Sequence, residues 1–232
     1  MTEKRIKYHR RPTRAVHVGD QLIIGGGHPI VIQSMANVDT NDLEASVAQA
    51  KRIAEAGGRL VRFTTQGVRE ARAIGQIHDQ LRESGSRIPL VADVHFNPKA
   101  AYEAAKHVEK VRINPGNFYD PARVFERVEY TDAEYAHELE ELQSKFGDFL
   151  DHCRSHGTAI RIGVNHGSLS DRIMSRYGDT APGMVESCME FLEVCRRKSF
   201  DDVVISLKSS NTVLMTEAVR LLVSEMDRRD CL

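Results

Sequence analysis

The sequence predicts a TIM-type β/α barrel that is incomplete, with six of the eight strand–helix units. Three observations carry this. Short apolar runs rich in β-branched residues recur along the chain, helical patterns follow most of them, and each run alternates an apolar row with a polar one. Strand alternating with helix means βαβ units and a parallel sheet. The complete fold typically takes about 250 residues, and this chain has 232.

The six runs are Pro29–Met35, Arg59–Thr65, Pro89–His95, Lys110–Asn114, Ala159–Asn165 and Asp202–Lys208. Before them, Ala15–Ile24 turns at Gly19-Asp20, which predicts a small hairpin placed to plug the bottom of the barrel. Residues 1–28 are therefore a basic arm and hairpin, and 29–232 a partial barrel. Thr40 is expected to cap a helix with an apolar face of Leu43, Val47, Ala50 and Ala54, stopped by Gly57-Gly58. Asn97-Pro98 opens another, with Ala101, Ala104, Ala105 and Val108 inward. Further helices are expected over Pro182–Lys198 and Thr216–Met226.

One stretch, about 117–157, breaks the rhythm. It holds a capping box, Thr131-x-x-Glu134, followed by Tyr135, Leu139, Leu142, Phe146 and Phe149 at helical spacing. A helical excursion after the fourth strand, outside the barrel, is expected there. Gly25-Gly26-Gly27 precedes the first strand instead of following it, so a Rossmann-type open sheet is not supported. The chain stops where a seventh strand would begin, as a fragment of a longer barrel would.

Composition narrows the function classes. No run of 18 apolar residues exists, so no membrane span is expected. Lys4, Arg5, Lys7, Arg10, Arg11 and Arg14 make a basic arm without the apolar segment of a secretory signal. The net charge of −1 supplies no wider basic field, so no nucleic-acid partner is expected. Cys153, Cys188, Cys195 and Cys231 form no C-x-x-C pair. Cys188 and Cys195, seven apart on a helix, lie about 10 Å apart along its axis, too far to share one ion. No metal site is assigned.

Strand parity points to the chemistry. Side chains alternate faces along a strand; in a β/α barrel the helix-facing row must be apolar, and functional groups gather inside near the C-terminal ends. Val61 and Phe63 oppose Arg62 and Thr64; Ala92 and Val94 oppose Asp93 and His95; Val111 and Ile113 oppose Arg112 and Asn114. Ile160, Ile162 and Val164 oppose Arg161, Gly163 and Asn165, and Val203, Ile205 and Leu207 oppose Val204, Ser206 and Lys208. Arg62, Arg112, Arg161 and Lys208 thus converge with only Asp93 as an evident counter-charge. Buried charge is costly unless paired or liganded, and guanidinium forks suit phosphate oxygens. A shared anion site is the expectation. Asn114 and Asn165, followed by Pro-Gly and His-Gly, serve equally well as turn residues. Asp93-x-His95 is read as a hydrogen-bonding pair that positions substrate, since a third metal ligand is lacking.

The segments PIVIQSMANVDT, LVRFTT, VADVHFNPKAA, VRINPGN, IRIGVNHGSLSDRIMSRYGD and VISLKSSN resemble 4-hydroxy-3-methylbut-2-enyl diphosphate synthases, from about Pro12 to Met226. The insertion ERVEYTDAEYAHELEEL resembles their longer variants, known from plants and some bacteria. The resemblance implies reductive ring opening of methylerythritol cyclodiphosphate in non-mevalonate isoprenoid biosynthesis. It also implies a [4Fe-4S] cluster on a separate C-terminal domain, ferredoxin or flavodoxin as electron donor, and a homodimer in the cytoplasm or plastid stroma. The family's binding residues match at Arg62, Asp93, His95, Arg112, Asn114, Arg161, Asn165 and Lys208. The cluster domain and its cysteine ligands are absent from this sequence, so binding without turnover is expected and no catalytic residue is assigned. Other classes stay open on the residues alone: a sugar-phosphate aldolase with Lys208 as Schiff-base lysine, a pterin-binding barrel, or a non-catalytic interaction module.

Overall fold

The computed structural model describes residues 11–119 and 129–231. The first ten residues of the basic arm and residues 120–128 of the insertion lie outside them. The chain opens with an antiparallel hairpin, β1 (Ala15–Val18) and β2 (Leu22–Gly25), pairing Ala15 with Gly25 and Val18 with Leu22. Six parallel strands follow in a single curled sheet: β3 (Gln33–Met35), β4 (Leu60–Thr65), β5 (Leu90–Val94), β6 (Lys110–Ile113), β7 (Ala159–Asn165) and β8 (Val203–Lys208). Spatial order equals chain order, as right-handed crossovers through helices produce. Among the described residues β3 and β8 pair on one side only, and Ile30 (81% exposed) and Ile32 (63%) flank the β3 edge.

The helices are α1 (Leu43–Glu55), α2 (Val68–Glu83), α3 (Pro98–Ala105), the single turn α4 (Pro115–Phe118), α5 (Asp132–His156), α6 (Asp171–Tyr177), α7 (Ala181–Arg197) and α8 (Thr212–Arg228). The outward row of the sheet meets them in one core. Phe63, Ile113, Ile160, Ile162 and Val164 are fully buried there against Ile74, Ile77, Phe146, Phe149 and Phe191. Burying a Phe or Ile side chain contributes about 1.5–3 kcal/mol each, and the one polar side chain of that row in β4, Thr65, donates its hydroxyl to the Phe63 carbonyl.

Three local details differ from expectation. Asp42, not Thr40, caps α1 by accepting from Ala45 N at 3.0 Å; Thr40 instead donates to the Thr64 carbonyl at 2.7 Å and ties the β3–α1 loop to β4. Asn211 caps α8, which starts four residues before Thr216. The insertion helix α5 has the expected capping box and ends at Gly157 in the left-handed conformation (φ 66°). Its C-terminal half is the ordinary crossover helix from β6 to β7. Phe146 stacks on Phe191 of α7, and Phe149 meets Tyr102 of α3, so only its N-terminal turns are extra.

The hairpin lies across the N-terminal ends of the strands, where Val16, Val18 and Leu22 pack on Leu60, Val91 and Ala159. The strand C-terminal ends are left for the loops.

Candidate functional site: a cationic crown at the strand C-termini

The sheet register sets Asp93, Arg112 and Arg161 side by side on β5, β6 and β7. Parity turns all three inward, and Arg62 of β4 and Lys208 at the end of β8 complete the crown. Asp93 is the hub and is 1% exposed. One of its oxygens accepts from Arg62 and, at 3.2 Å, faces His95 Nε2; the other accepts from Arg112 Nη1 at 3.3 Å. Burial alone would raise the Asp93 carboxyl. The His95 hydrogen bond and the charges of Arg62 and Arg112 overcome it and hold the group at about 2.

Arg112 also donates to the Gly163 carbonyl at 2.9 Å, and Gly163 is what makes room for it. A Cβ at position 163 would stand 2.6 Å from Arg112 Nε. Arg161 donates through Nε to Ser206 Oγ at 3.1 Å. Burial, then repulsion from Arg62 and Arg112, pulls the Arg161 guanidinium below its ordinary value. Lys208 is exposed; burial of its stem, then Arg62, Arg112 and Arg161, lower its ammonium. Among the described residues Asp93 is the only carboxylate paired with any of these four cations. Arg62 Nε is buried without a hydrogen-bond partner among the same residues. Such a surplus calls for an anion.

Asn114 performs a turn role and more. Its Oδ1 accepts from Gly116 N at 3.3 Å as the cap of α4, and its Nδ2 donates to Ser168 Oγ at 3.1 Å. The two loops that follow β6 and β7 are in contact at this point. A Cβ at Gly116 would fall 1.8 Å from the Ser168 carbonyl oxygen, so only glycine permits the approach. Asn165 closes β7 beside Lys208, half-buried. His166 stands 3.5 Å from Asp179, which also accepts from Gly167 N at 3.0 Å and folds the loop down. The crown thus brings together Arg62, Asp93, His95, Arg112, Arg161 and Lys208, with Asn165 at the end of β7 and Asn114 just after β6.

Sequence reasoning passed over Phe96, Ser168 and Lys110. Phe96, next to His95, is 72% exposed and has φ +59°, a strained setting for an aromatic residue. Ser168 is visible only through tertiary contact. Lys110 shares the inner row with Arg112, and the same parity, applied at the start of the strand, identifies it.

The described residues do not fit an iron–sulfur cluster. Cys153, Cys188 and Cys195 are buried within helices and burial pushes their thiols well up. No group of three or more His, Cys, Asp or Glu side chains among the described residues could hold a metal ion. No helix among them is long and apolar enough to cross a membrane.

A family model described as the GcpE TIM-barrel domain matches residues 13–230. Curated relatives named 4-hydroxy-3-methylbut-2-en-1-yl diphosphate synthase (flavodoxin) align along most of the chain. The Parabacteroides distasonis protein is 62% identical over 95% of this chain and 36% of its own length. Those of Bacteroides fragilis (61%, 95% and 35%) and Akkermansia muciniphila (51%, 95% and 37%) are similar. The chain spans just over a third of the length of these relatives. Two solved structures share the fold alone. They are the Thermotoga maritima phospho-2-dehydro-3-deoxyheptonate aldolase (TM-score 0.51, 12% identity, 90% of this chain and 52% of that one) and the Clostridium tetanomorphum methylaspartate ammonia lyase (TM-score 0.52, 14% identity, 85% and 41%). With nearly its whole length matched by the family model, the chain belongs to the GcpE TIM-barrel domain family.

Proposed function

We propose that this chain is the substrate-binding barrel of an isoprenoid-pathway oxidoreductase. In that enzyme methylerythritol cyclodiphosphate would be reduced to 4-hydroxy-3-methylbut-2-enyl diphosphate. The observation that carries it is the charge imbalance of the crown, four cations around one carboxylate already held ionised. A cyclic diphosphate supplies the missing negative charge, and its two phosphates suit Arg62, Arg112, Arg161 and Lys208. Asp93 with His95, and Asn114 with Asn165, are assigned to hydrogen-bond the sugar-derived hydroxyls and hold the ring in one orientation. Residues 1–28 act as arm and hairpin, and 29–232 as barrel.

The names of the relatives support a flavodoxin as electron donor; ferredoxin is the alternative donor, and a homodimer in the cytoplasm or plastid stroma belongs to the same proposal. A [4Fe-4S] cluster would supply the electrons from outside these residues, since the cysteines here do not fit as its ligands. The chain's own part is to bind, orient and neutralise charge.

Thermal melts with methylerythritol cyclodiphosphate and, as control, a nucleoside diphosphate test this. At a hundredfold excess over Kd the cyclodiphosphate is expected to stabilise the fold by about 2.7 kcal/mol. Lys208→Met, at an exposed position, should erase that gain while leaving the melting of the free protein within about 0.5 kcal/mol. Equal stabilisation by both ligands would reduce the crown to a general anion site; no shift with either would refute the assignment.

A further inference from the structure

The chain after β6 and the chain after β7 meet through one hydroxyl. Asn114 follows β6 with its backbone still extended (φ −111°, ψ 113°), so it continues the inner row of Lys110 and Arg112. Asn165 ends the inner row of β7 after Arg161 and Gly163. Ser168 Oγ joins the two. It accepts from Asn114 Nδ2 at 3.1 Å and donates to the Asn165 carbonyl at 3.2 Å. The Ser168 N–H donates to that same carbonyl, also at 3.2 Å. The approach of Gly116 to the Ser168 carbonyl, which only glycine permits, is what brings this hydroxyl within reach of Asn114.

The polarity of the chain of bonds is fixed at both ends. Asn114 Oδ1 accepts from the Gly116 N–H, which can only donate, and this leaves Nδ2 facing Ser168. A hydroxyl has one hydrogen and two lone pairs. Ser168 directs its hydrogen at a carbonyl, which can only accept, and receives the amide on a lone pair. Reversing the Asn114 amide would set donor against donor at Gly116. The buried amide is thereby held in one orientation, with its second Nδ2 hydrogen and a lone pair of Oδ1 outside the clasp. The loop after β7 has other anchors. His166 N donates to the Lys208 carbonyl at 2.9 Å, Gly167 N donates to Asp179 at 3.0 Å, and Leu169 is fully buried. Its course does not depend on the Ser168 hydroxyl, so the effect peculiar to that group falls on the two asparagines.

Resting on the reading of Asn114 and Asn165 as contacts to the ligand's hydroxyls, we propose that Ser168 is a positioning residue for the crown. Its hydroxyl aligns Asn114 through the side-chain amide and Asn165 through the backbone carbonyl, and couples the two so that they present one surface. In this role Ser168 need not touch the ligand. Its hydrogen bonds reach none of Arg62, Arg112, Arg161 and Lys208. Removing the hydroxyl therefore disturbs the neutral part of the site and spares the cations. A ligand with hydroxyl groups feels the loss; a bare diphosphate does not.

Calorimetry on the 232-residue chain with methylerythritol cyclodiphosphate and with inorganic pyrophosphate tests this. Ser168→Ala is expected to bind the cyclodiphosphate about tenfold more weakly and pyrophosphate within about twofold of the parent. Without ligand it should melt no more than about 4 °C lower. Ser168→Thr, which keeps the hydroxyl, should bind the cyclodiphosphate within about threefold of the parent. In a double-mutant cycle, Ser168→Ala should cost no more than about threefold once Asn114→Ala is present. Should Asn114→Ala fail to fold, the selective loss in Ser168→Ala and its rescue by Ser168→Thr decide the matter. Unchanged cyclodiphosphate affinity in Ser168→Ala overturns the proposal and leaves the crown reading standing. So do equal losses for both ligands, which would route the effect through the cations or the fold, a Ser168→Thr as weak as Ser168→Ala, or a full loss on the Asn114→Ala background. A parent that binds neither ligand brings down the crown reading, and this proposal with it.

Discussion

Two buried charge clusters sit within one molecule and are built on opposite plans. Behind the sheet, Arg172 of α6 grips Glu190 of α7 through two bonds of 2.5 and 2.8 Å. The Tyr135 hydroxyl of α5 donates to the same carboxylate at 2.5 Å, and the Tyr135 ring lies 4.7 Å from the Arg172 guanidinium. Among the described residues one cation meets one anion, with a neutral donor beside them. Inside the barrel, one carboxylate serves two guanidiniums and a histidine, while a third arginine and a lysine stand by. The balanced cluster fastens three helices. The unbalanced one is suited to wait for a ligand. The two hubs, Asp93 and Glu190, are similarly buried; what differs among the described residues is the number of cations around each.

Neutralising each hub breaks the comparison most forcefully. Glu190→Gln and Asp93→Asn should each destabilise by about 3–5 kcal/mol, because each leaves buried cations uncompensated. Inorganic pyrophosphate should restore part of the lost melting temperature in Asp93→Asn and none in Glu190→Gln; equal restoration would erase the distinction. Next in size is acid. Asp93 titrates at about 2 in the folded chain, below its ordinary 3.8. Its contribution, about 2 kcal/mol, is therefore complete above pH 3.8 and fades as pH falls through 2. Subtracting the Asp93→Asn acid-unfolding curve from that of the parent should isolate this loss. Smallest is Tyr135→Phe, expected to cost about 1.5 kcal/mol for one hydrogen bond to a charged group. Denaturant melts should show that loss with no change in affinity for the crown's ligand.

Much of this was legible in the chain. The outward rows of β4 to β8 and the inward Arg62, Asp93, Arg112 and Arg161 follow from a period of two, which is a local property. The hairpin at Gly19-Asp20 and the capping box at Thr131 are local too. What escaped depends on distant partners. Thr40 satisfies the α1 cap pattern, yet the Thr64 carbonyl claims its hydroxyl. The amide of Asn114 reaches across 54 residues to Ser168, and Tyr135 across 55 to Glu190. Nothing in the spacing of those residues announces the pairing. Lys110 was legible but stands at the end of its strand where functional groups are not expected.

The agreement of spatial with chain order along β3 to β8 has a consequence for biosynthesis. A polypeptide emerging from the ribosome can lay down this sheet one strand at a time, each new strand finding its neighbour already in place. The charges then arrive in sequence as well. Arg62 and Asp93 meet first and cancel, and only afterwards do Arg112, Arg161 and Lys208 join. Electrostatic tension in the interior therefore builds late, after the early strands have an apolar layer to hold them, so the growing chain need not bury the whole positive surplus at once.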